Sequence, residues 1–295
     1  SFNLIKKFLS TFVFLYFLFV NSSIVKYKII IMNILLTGGA GYIGSHVALN
    51  LLDSGYKVTI IDDLSTGKKK LIPSKAEFIR CNVNELEKIE SLLKTKKFVA
   101  CMHFAGFIEV EESVSNPKKY FQNNSINSIK LFDLCLHNGL SNIIFSSTAA
   151  VYGNPTHKDL LSETDDIKPI NPYGESKVRT ERYLQQFDSS KINYIILRYF
   201  NVAGADPKMR SGLIKKNPTH LIKIASEAAI GKRESVQIFG NDYDTPDGTA
   251  IRDYIHVSDL ADIHIKALQF VLEKKQSEIF NCGYGIGFSV KDVLN

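Results

Sequence analysis

A glycine-rich turn constrains the fold of this chain more than any other sequence feature. Gly38, Gly41 and Gly44 have G-x-x-G-x-x-G spacing, directly after the apolar run Met32–Thr37 and directly before the amphipathic stretch Tyr42–Asp53. Glycine is needed in such a turn because the chain must bend tightly and bring backbone N–H groups against a diphosphate at the N-terminus of the next helix. The pattern therefore predicts a strand, a nucleotide-binding loop and a helix.

An acidic residue after the next apolar run indicates which nucleotide the turn binds. Lys57–Ile61 is predicted to be the second strand, and Asp62 follows it, roughly 20 residues beyond the glycine turn. A carboxylate there accepts hydrogen bonds from the adenosine ribose, which favours NAD over NADP. Asp63 lies next to it and can share the role.

Apolar runs alternate with helical patterns as far as residue 200. The alternation predicts a doubly wound parallel (Rossmann-like) α/β sheet, covered by helices on both faces, and we assign residues 32–200 to an NAD-binding domain. Further strands are predicted at Phe98–Met102, Asn142–Ser146 and Tyr194–Leu197, and helices at Asn84–Lys94, Pro117–His137 and Pro172–Phe187.

Residues 201–295 are predicted to form a smaller substrate-binding lobe, because turn-rich sequence here surrounds a single helical pattern at His220–Ala229. The helical pattern Val257–Leu272 and the strand Glu278–Cys282 are expected to return to the main sheet. Near Ser289 a further helical pattern begins, and it is cut short where the sequence stops. We therefore expect the lobe to be truncated.

Residues 1–31 need a separate interpretation, because 18 uncharged and mostly apolar residues, 8–25, follow Lys6 and Lys7. Such a segment resembles a signal peptide or a membrane anchor. The first methionine, however, is Met32, directly before the nucleotide-binding strand. The sequon Asn123-Asn124-Ser125 also falls in the predicted cofactor site, which disfavours secretion. We favour non-native or translated upstream sequence over a genuine leader.

The net charge and the cysteine content limit the possible functions further. The formal net charge is +6, but four lysines of the acid-free segment 1–31 contribute most of it, so no basic stripe suggests nucleic acid. The four cysteines are far apart and lack metal-ligand spacing, so we predict no metal site and reduced, buried thiols. Together these features predict a cytoplasmic enzyme with no membrane partner.

Tyr173 and Lys177 form the candidate catalytic pair, because i, i+4 spacing places both on one face of a predicted helix. A tyrosine with an ordinary pKa near ~10 needs a stabilised phenolate to act as a base at neutral pH, and an ammonium group can supply part of that stabilisation. Such spacing alone also arises by chance in a chain with 13 tyrosines. The supporting feature is Ser146-Ser147-Thr148, at the end of a predicted strand where parallel sheets bind ligands.

Several motifs carry a family resemblance. Thr37–Gly44, Ser146–Gly153, Tyr173–Lys177 and Arg198–Ala205 resemble the extended short-chain dehydrogenase/reductase family. Within that family, Asn171–Gly174, Ile238–Tyr243 and Asp247–Val257 are similar to the motifs of the UDP-hexose 4-epimerases. The resemblance runs from Met32 to Asn295, and the later motifs are more specific than the glycine turn.

The resemblance implies a homodimeric isomerase that interconverts UDP-galactose and UDP-glucose through a 4-keto sugar, with bound NAD regenerated in each turnover. Tyr173 would take the proton of the sugar 4-hydroxyl, and Thr148 would bind that oxygen. Lys177 would hold the nicotinamide ribose and lower the pKa of Tyr173. The family's last segment, with another phosphate-binding Arg and the residue that selects N-acetylated sugars, would lie beyond Asn295.

The resemblance also implies two sets of binding residues. The cofactor set is Gly38, Gly41, Tyr42, Ile43, Gly44, Asp62, Asp63, Asn82, Val83, Phe104, Ala105, Gly106, Asn123, Tyr173, Lys177 and Phe200. The UDP-sugar set is Thr148, Tyr173, Asn201, Leu221, Gln237, Phe239 and Arg252. The chain departs from the family at Asn82, usually an acid, at Ile108 and Glu109, where some members have Lys, and at His220, frequently Asn.

Other functions remain open. A nucleotide-sugar 4,6-dehydratase or decarboxylase could use the same scaffold, but a dehydratase needs an acid pair where Ala149 and Ala150 stand. A non-catalytic NAD-sensing regulator could dispense with Tyr173 and Lys177, and this chain keeps both. A membrane-anchored epimerase depends wholly on residues 1–31.

Overall fold

The computed structural model describes residues 32–154, 160–215 and 218–295, so the interpretations of residues 1–31 fall outside it. The main sheet has seven parallel strands: β1 (Asn33–Thr37), β2 (Lys57–Asp62), β3 (Glu77–Arg80), β4 (Ala100–His103), β5 (Asn142–Thr148), β6 (Asn193–Tyr199) and β9 (Glu278–Cys282). Their order is β3-β2-β1-β4-β5-β6-β9, which confirms the doubly wound fold.

Helices cover both faces of this sheet because successive strand residues point in opposite directions. The main helices are α1 (Tyr42–Asp53), α2 (Leu86–Thr95), α5 (Ser128–His137), α6 (Pro172–Gln185) and α8 (Val257–Lys274). In β1, Ile34 and Leu36 pack in one core with α1 and α8, whereas Leu35 packs in the other with α2, α5 and α6.

The helix predicted over 117–137 is interrupted. It consists of α4 (Pro117–Tyr120), a π-helical segment Phe121–Asn127, and α5; the short α3 (Val110–Ser115) precedes it. The wider π turn is stabilised from outside, because the Thr180 hydroxyl on α6 donates to the Asn124 carbonyl at 2.9 Å. Periodicity could not indicate this bond, because it depends on a different helix.

A three-stranded sheet in the second half of the chain was not predicted from the sequence. Here β8 (Ile251–His256) lies between β7 (Asn201–Ala203), which is parallel to it, and β10 (Gly287–Ser289), which is antiparallel. The helices α7 (Leu221–Ala229) and α9 (Val290–Leu294) belong to the same half. Edge strand β3 was also missed, because it is short and only half-buried. Within the described ranges, no helix is long and apolar enough to cross a membrane.

Candidate active site

A cavity of about 780 Å³ lies where the carboxyl ends of five strands of the main sheet meet. Its wall includes one residue at or just after the end of each of β1, β2, β4, β5 and β6, namely Gly38, Asp62, Phe104, Thr148 and Phe200. Loops at this edge of a doubly wound sheet form its ligand crevice.

The structure brings most of the predicted site residues to this cavity. All residues of the predicted cofactor set line it, as do Thr148 and Asn201 of the UDP-sugar set. Leu221, Gln237, Phe239 and Arg252 are not among the lining residues. Phe239 is 81% exposed, and the Arg252 guanidinium donates to the neighbouring carbonyl of Ile251 at 2.8 Å.

The glycine turn Gly38–Gly44 forms a backbone cradle in the cavity wall. Gly38 has φ +73°, and a Cβ there would lie 2.5 Å from the amide nitrogen of Ala105. A Cβ at Gly44 would lie 2.3 Å from the Gly38 carbonyl oxygen. No side chain caps the N-terminus of α1 at Gly41, so the first N–H groups of this helix are available to an anion.

Two acids at the end of β2, Asp62 and Asp63, line the cavity beside the glycine turn. The Asp62 carboxylate accepts from the backbone N–H groups of Ala40 at 2.9 Å and Leu64 at 2.8 Å. Burial raises the pKa of Asp62, although these two bonds oppose the rise. Each carboxylate oxygen has a second lone pair, so Asp62 can still accept from ribose hydroxyls.

The side chains of Asp63 and Asn82 are hydrogen-bonded to each other. Asn82 Nδ2 donates to Asp63 Oδ2 at 2.5 Å, and the backbone N–H of Ser65 donates to Asp63 Oδ1 at 2.8 Å. Burial alone would raise the pKa of Asp63, but the hydrogen bonds from Ser65 and Asn82 outweigh it and lower the pKa. The amide at position 82 thus contributes, after Ser65, to the lowered pKa of Asp63.

Helix α6 begins at the cavity, and its start is well defined. The Asn171 side chain caps it by accepting from the Gly174 N–H at 2.8 Å, and Pro172 occupies the first turn. Tyr173 lies in this first turn and lines the cavity together with Thr148. Burial raises the pKa of the Tyr173 hydroxyl, and a hydrogen bond with the Thr148 side chain acts in the opposite direction.

Lys177 lies one turn further along α6 and is buried. Its ammonium donates to the Ser146 carbonyl at 2.9 Å and lies 5.0 Å from the centre of the Phe145 ring. Burial lowers the pKa of Lys177 to about 8, and the charge of Glu181 opposes this shift. The i, i+4 spacing predicted Tyr173 and Lys177 on one face of a helix, and both line the cavity. The bond from Lys177 to strand β5 was not predicted.

Several residues of the cavity wall were not predicted from the sequence. Tyr199 is one: its hydroxyl donates to His264 Nε2 at 2.6 Å, because His264 Nδ1 must donate to the Leu260 carbonyl. Tyr199 stood within a motif used for the resemblance, but nothing in its spacing indicated a role. Other missed residues of the wall include Lys68, Lys119 and Lys215.

The chain belongs to the NAD dependent epimerase/dehydratase family, whose model matches residues 34–283. Among its relatives, the UDP-glucose 4-epimerase of Azospirillum brasilense is 48% identical over 262 residues, covering 88% of this chain and 75% of the relative.

Solved structures agree with this family. The crystal structure of UDP-glucose 4-epimerase from Brucella ovis in complex with NAD has 38% identity and a TM-score of 0.84, covering 89% of this chain and 80% of that one. The Bifidobacterium longum UDP-glucose 4-epimerase in complex with NAD⁺ and UDP has 33% identity and a TM-score of 0.81, with coverage of 88% and 81%.

Proposed function

We propose that this chain is an NAD-dependent 4-epimerase that interconverts UDP-galactose and UDP-glucose. The observation that carries the proposal is one cavity that combines a glycine cradle with Thr148, Tyr173 and Lys177. The names of the relatives support the same reaction, because they are UDP-glucose 4-epimerases at 40–48% identity.

The residues of the cavity fit NAD. The cradle at Gly38–Gly44 would take the diphosphate, because the first N–H groups of α1 have no side-chain cap. Side chains are excluded there, because a Cβ at Gly38 would meet the backbone of Ala105 and one at Gly44 would meet the Gly38 carbonyl. Asp62 would take the adenosine ribose, and Lys177 with Asn123 would lie at the nicotinamide end. When bound, NAD supplies a hydride acceptor for C4 of the sugar, and it is restored within each turnover.

The proton steps belong to the chain's own residues. Tyr173 would take the proton of the sugar 4-hydroxyl and return it after the 4-keto sugar has turned over. The buried Tyr173 hydroxyl has a raised pKa, so it needs positive charge nearby to act as a base. Lys177 and the nicotinamide ring would provide it, and Thr148 would hold the sugar oxygen.

The residues that follow Thr148 do not support a dehydratase reaction. Thr148 is followed by the short 3₁₀ helix Ala149–Val151, with Ala149 and Ala150 where a proton donor would have to stand. Without an acid there, elimination of the 6-hydroxyl has no proton donor on this segment.

The UDP part of the substrate would bind residues 201–295. Asn201 lines the cavity, and we keep Leu221, Gln237, Phe239 and Arg252 as the proposed UDP contacts on the strength of the family resemblance. For Phe239 and Arg252 this requires a rearrangement when UDP binds, since both side chains are exposed. The division into an NAD-binding domain, 32–200, and a substrate lobe, 201–295, is likewise proposed.

We further propose a homodimer that acts in the cytoplasm. Two copies would pair through the helices of 117–137 and α6, whose outer surface carries Ile126, 43% exposed, and Phe121 stacked under Arg179. The free and buried state of all four cysteines supports a reducing compartment.

Incubation of the purified full-length protein with UDP-galactose, without added NAD, tests the proposed function. We expect UDP-glucose to form until the two sugars reach equilibrium, with bound NAD unchanged in amount. Net consumption of NAD, or a 4-keto-6-deoxy sugar by mass spectrometry, would contradict the proposal.

A further inference from the structure

A buried ion pair lies behind the candidate catalytic residues. The side chains of Glu181, on α6, and Arg198, on β6, are each 3% exposed, and Arg198 Nη2 lies 2.7 Å from Glu181 Oε2. Arg198 Nε also donates to both carboxylate oxygens, at 3.2 and 3.3 Å. Both charges are therefore removed from water and held by several bonds.

Glu181 is also bonded to strand β5. Its Oε1 accepts a hydrogen bond from the Ser147 hydroxyl. Ser147 lies between Ser146, whose carbonyl accepts from Lys177, and Thr148, which faces Tyr173. Glu181 thus joins α6 to β5 at the place where the strand delivers Thr148 to the cavity.

Arg198 extends this network away from the cavity. Its Nη1 donates to the Tyr152 hydroxyl at 2.8 Å, and that hydroxyl donates to Asn281 Oδ1 at 2.7 Å. Tyr152 follows the 3₁₀ helix after Thr148, and Asn281 lies on β9. One chain of bonds therefore connects α6, β5, β6 and β9.

Stability alone does not account for a charged pair in this position. Apolar residues of similar volume often replace a buried ion pair without loss of stability, because desolvation of the two charges offsets their attraction. The position of Lys177 suggests another reason for a charged pair here. Glu181 follows it by one helical turn, on the same face of α6, and its charge raises the pKa that burial lowers to about 8.

The other charged groups near Lys177 are engaged elsewhere or neutral. His103, on β4, is buried between Thr37 and Ser128, and burial lowers its pKa to about 3, so it is uncharged at neutral pH. On the helices packed against α6, Glu112 pairs with Lys119 at 2.5 Å, and Asp133 accepts from the Tyr183 hydroxyl. In the described part of the chain, Glu181 is the carboxylate that acts on Lys177.

We propose that Glu181 is a positioning residue of the reaction, which fixes α6 against the end of β5 and directs its negative charge at the Lys177 ammonium. This inference rests on the proposed function, because it requires Lys177 to work as a cation. Glu181 itself is not among the residues that line the cavity, so it would touch neither substrate nor cofactor.

Two variants test the role of the charge. Glu181→Gln alone would leave Arg198 buried and unpaired, which endangers folding, so both charges are removed together. The double variant Glu181→Met/Arg198→Met removes both charges and keeps apolar bulk. Tyr152→Phe is the matched control, because it breaks the network while leaving Glu181 and Arg198 charged. For the wild type and each variant, fluorescence titration gives the NAD affinity and initial rates give kcat, both as functions of pH.

We expect the double variant to fold with an unchanged or higher Tm. Its decline of NAD affinity and kcat at alkaline pH should begin about 1 pH unit lower than in the wild type, because Lys177 loses its proton earlier. Tyr152→Phe should keep the wild-type alkaline limb.

Three results would overturn the inference: a double variant that folds with the wild-type alkaline limb, a double variant that cannot fold, or an equal shift in Tyr152→Phe. If the wild-type protein binds NAD but does not epimerise UDP-galactose, the proposed function fails instead. The shift in NAD affinity still tests Glu181 in that case.

Discussion

The Lys177 ammonium donates to the backbone carbonyl of Ser146, with 2.9 Å between Nζ and the oxygen. This bond links the helix that carries Tyr173 to the strand that ends in Thr148, so a single lysine both carries charge and sets the distance between the two. Removal of Lys177 should therefore disturb chemistry and cofactor binding together.

Lys177→Met keeps the apolar stem but removes the ammonium. Loss of a charged hydrogen bond costs about 1.5–3 kcal/mol, so we expect NAD affinity to fall by about 10- to 150-fold, with a lower kcat as well. Calorimetric titration with NAD and initial rates measure the two effects. Lys94→Met, an exposed residue of α2, is the control and should match the wild type in both.

Tyr173→Phe should separate chemistry from binding. The variant loses the proposed proton acceptor, and we expect kcat to fall by at least ~10²-fold with NAD affinity nearly unchanged. Tyr183→Phe removes a hydroxyl bonded to Asp133, outside the cavity, and should keep its activity. Wild-type turnover by Tyr173→Phe would mean that another group is the base.

Two glycines with similar backbone angles should respond differently to alanine. Gly38 has φ +73° and Gly139 has φ +78°, so both substitutions strain the backbone by about 1–2 kcal/mol. Only at Gly38 does the new Cβ also meet other backbone, at 2.5 Å. Gly38→Ala should abolish NAD binding, whereas Gly139→Ala should lower Tm slightly and leave NAD affinity intact. Equal NAD affinity in both variants would show that the turn is not the cradle.

Acid should destabilise the protein below about pH 6.5, because two buried histidines resist protonation. Burial lowers the pKa of His103 to about 3 and that of His264 to about 4. The unfolded chain binds more protons between these values and ~6.5, so stability is full above about pH 6.5 and falls as the pH drops. Each histidine should cost about 2 kcal/mol by about pH 5.

Urea unfolding across a pH series from mildly acidic to neutral measures this effect. His264→Asn retains a donor for the Leu260 carbonyl but does not titrate, so its stability should depend less steeply on pH. A slope equal to that of the wild type would mean that His264 is not one of the groups responsible.

Ile126→Glu tests the proposed dimer. A carboxylate in the centre of an apolar contact between two copies is costly to desolvate, so the variant should be monomeric at micromolar concentration where the wild type is dimeric. Light scattering after size exclusion gives the masses. Ile230→Glu, at the end of α7 and 65% exposed in the wild type, should remain dimeric. A monomeric wild type would refute the dimer.

The parts of the fold that sequence could predict are those whose pattern is local. The run at β1 and the amphipathic stretch of α1 carry their own periodicity, and α1 was found at the predicted bounds, Tyr42–Asp53. Strand β8 was not predicted because most of its residues are exposed or half-buried, so it lacks a continuous apolar run. Its pairing depends on β7 and β10, and β7 is far away in sequence.

The candidate site also has parts that sequence could predict and parts that it could not. Glycine spacing and the Tyr173–Lys177 interval can be recognised within one segment. The bond between Glu181 and Arg198 joins two elements and depends on the register of β5 with β6, in which Ser147 lies opposite Arg198. No single segment contains that register, so sequence alone could not predict the pair.

The π-helical segment Phe121–Asn127 means that the two ends of this helix are out of phase with each other. A π turn closes its hydrogen bond one residue later than an α turn, so a single extra residue rotates the N-terminal part of the helix by about 100° relative to its C-terminal part. Asn123 reaches the cavity while Leu131 and Phe132 pack in the core. Deletion of one residue within 121–127 should therefore leave a continuous α-helix that still folds, yet turns Asn123 away from the cavity.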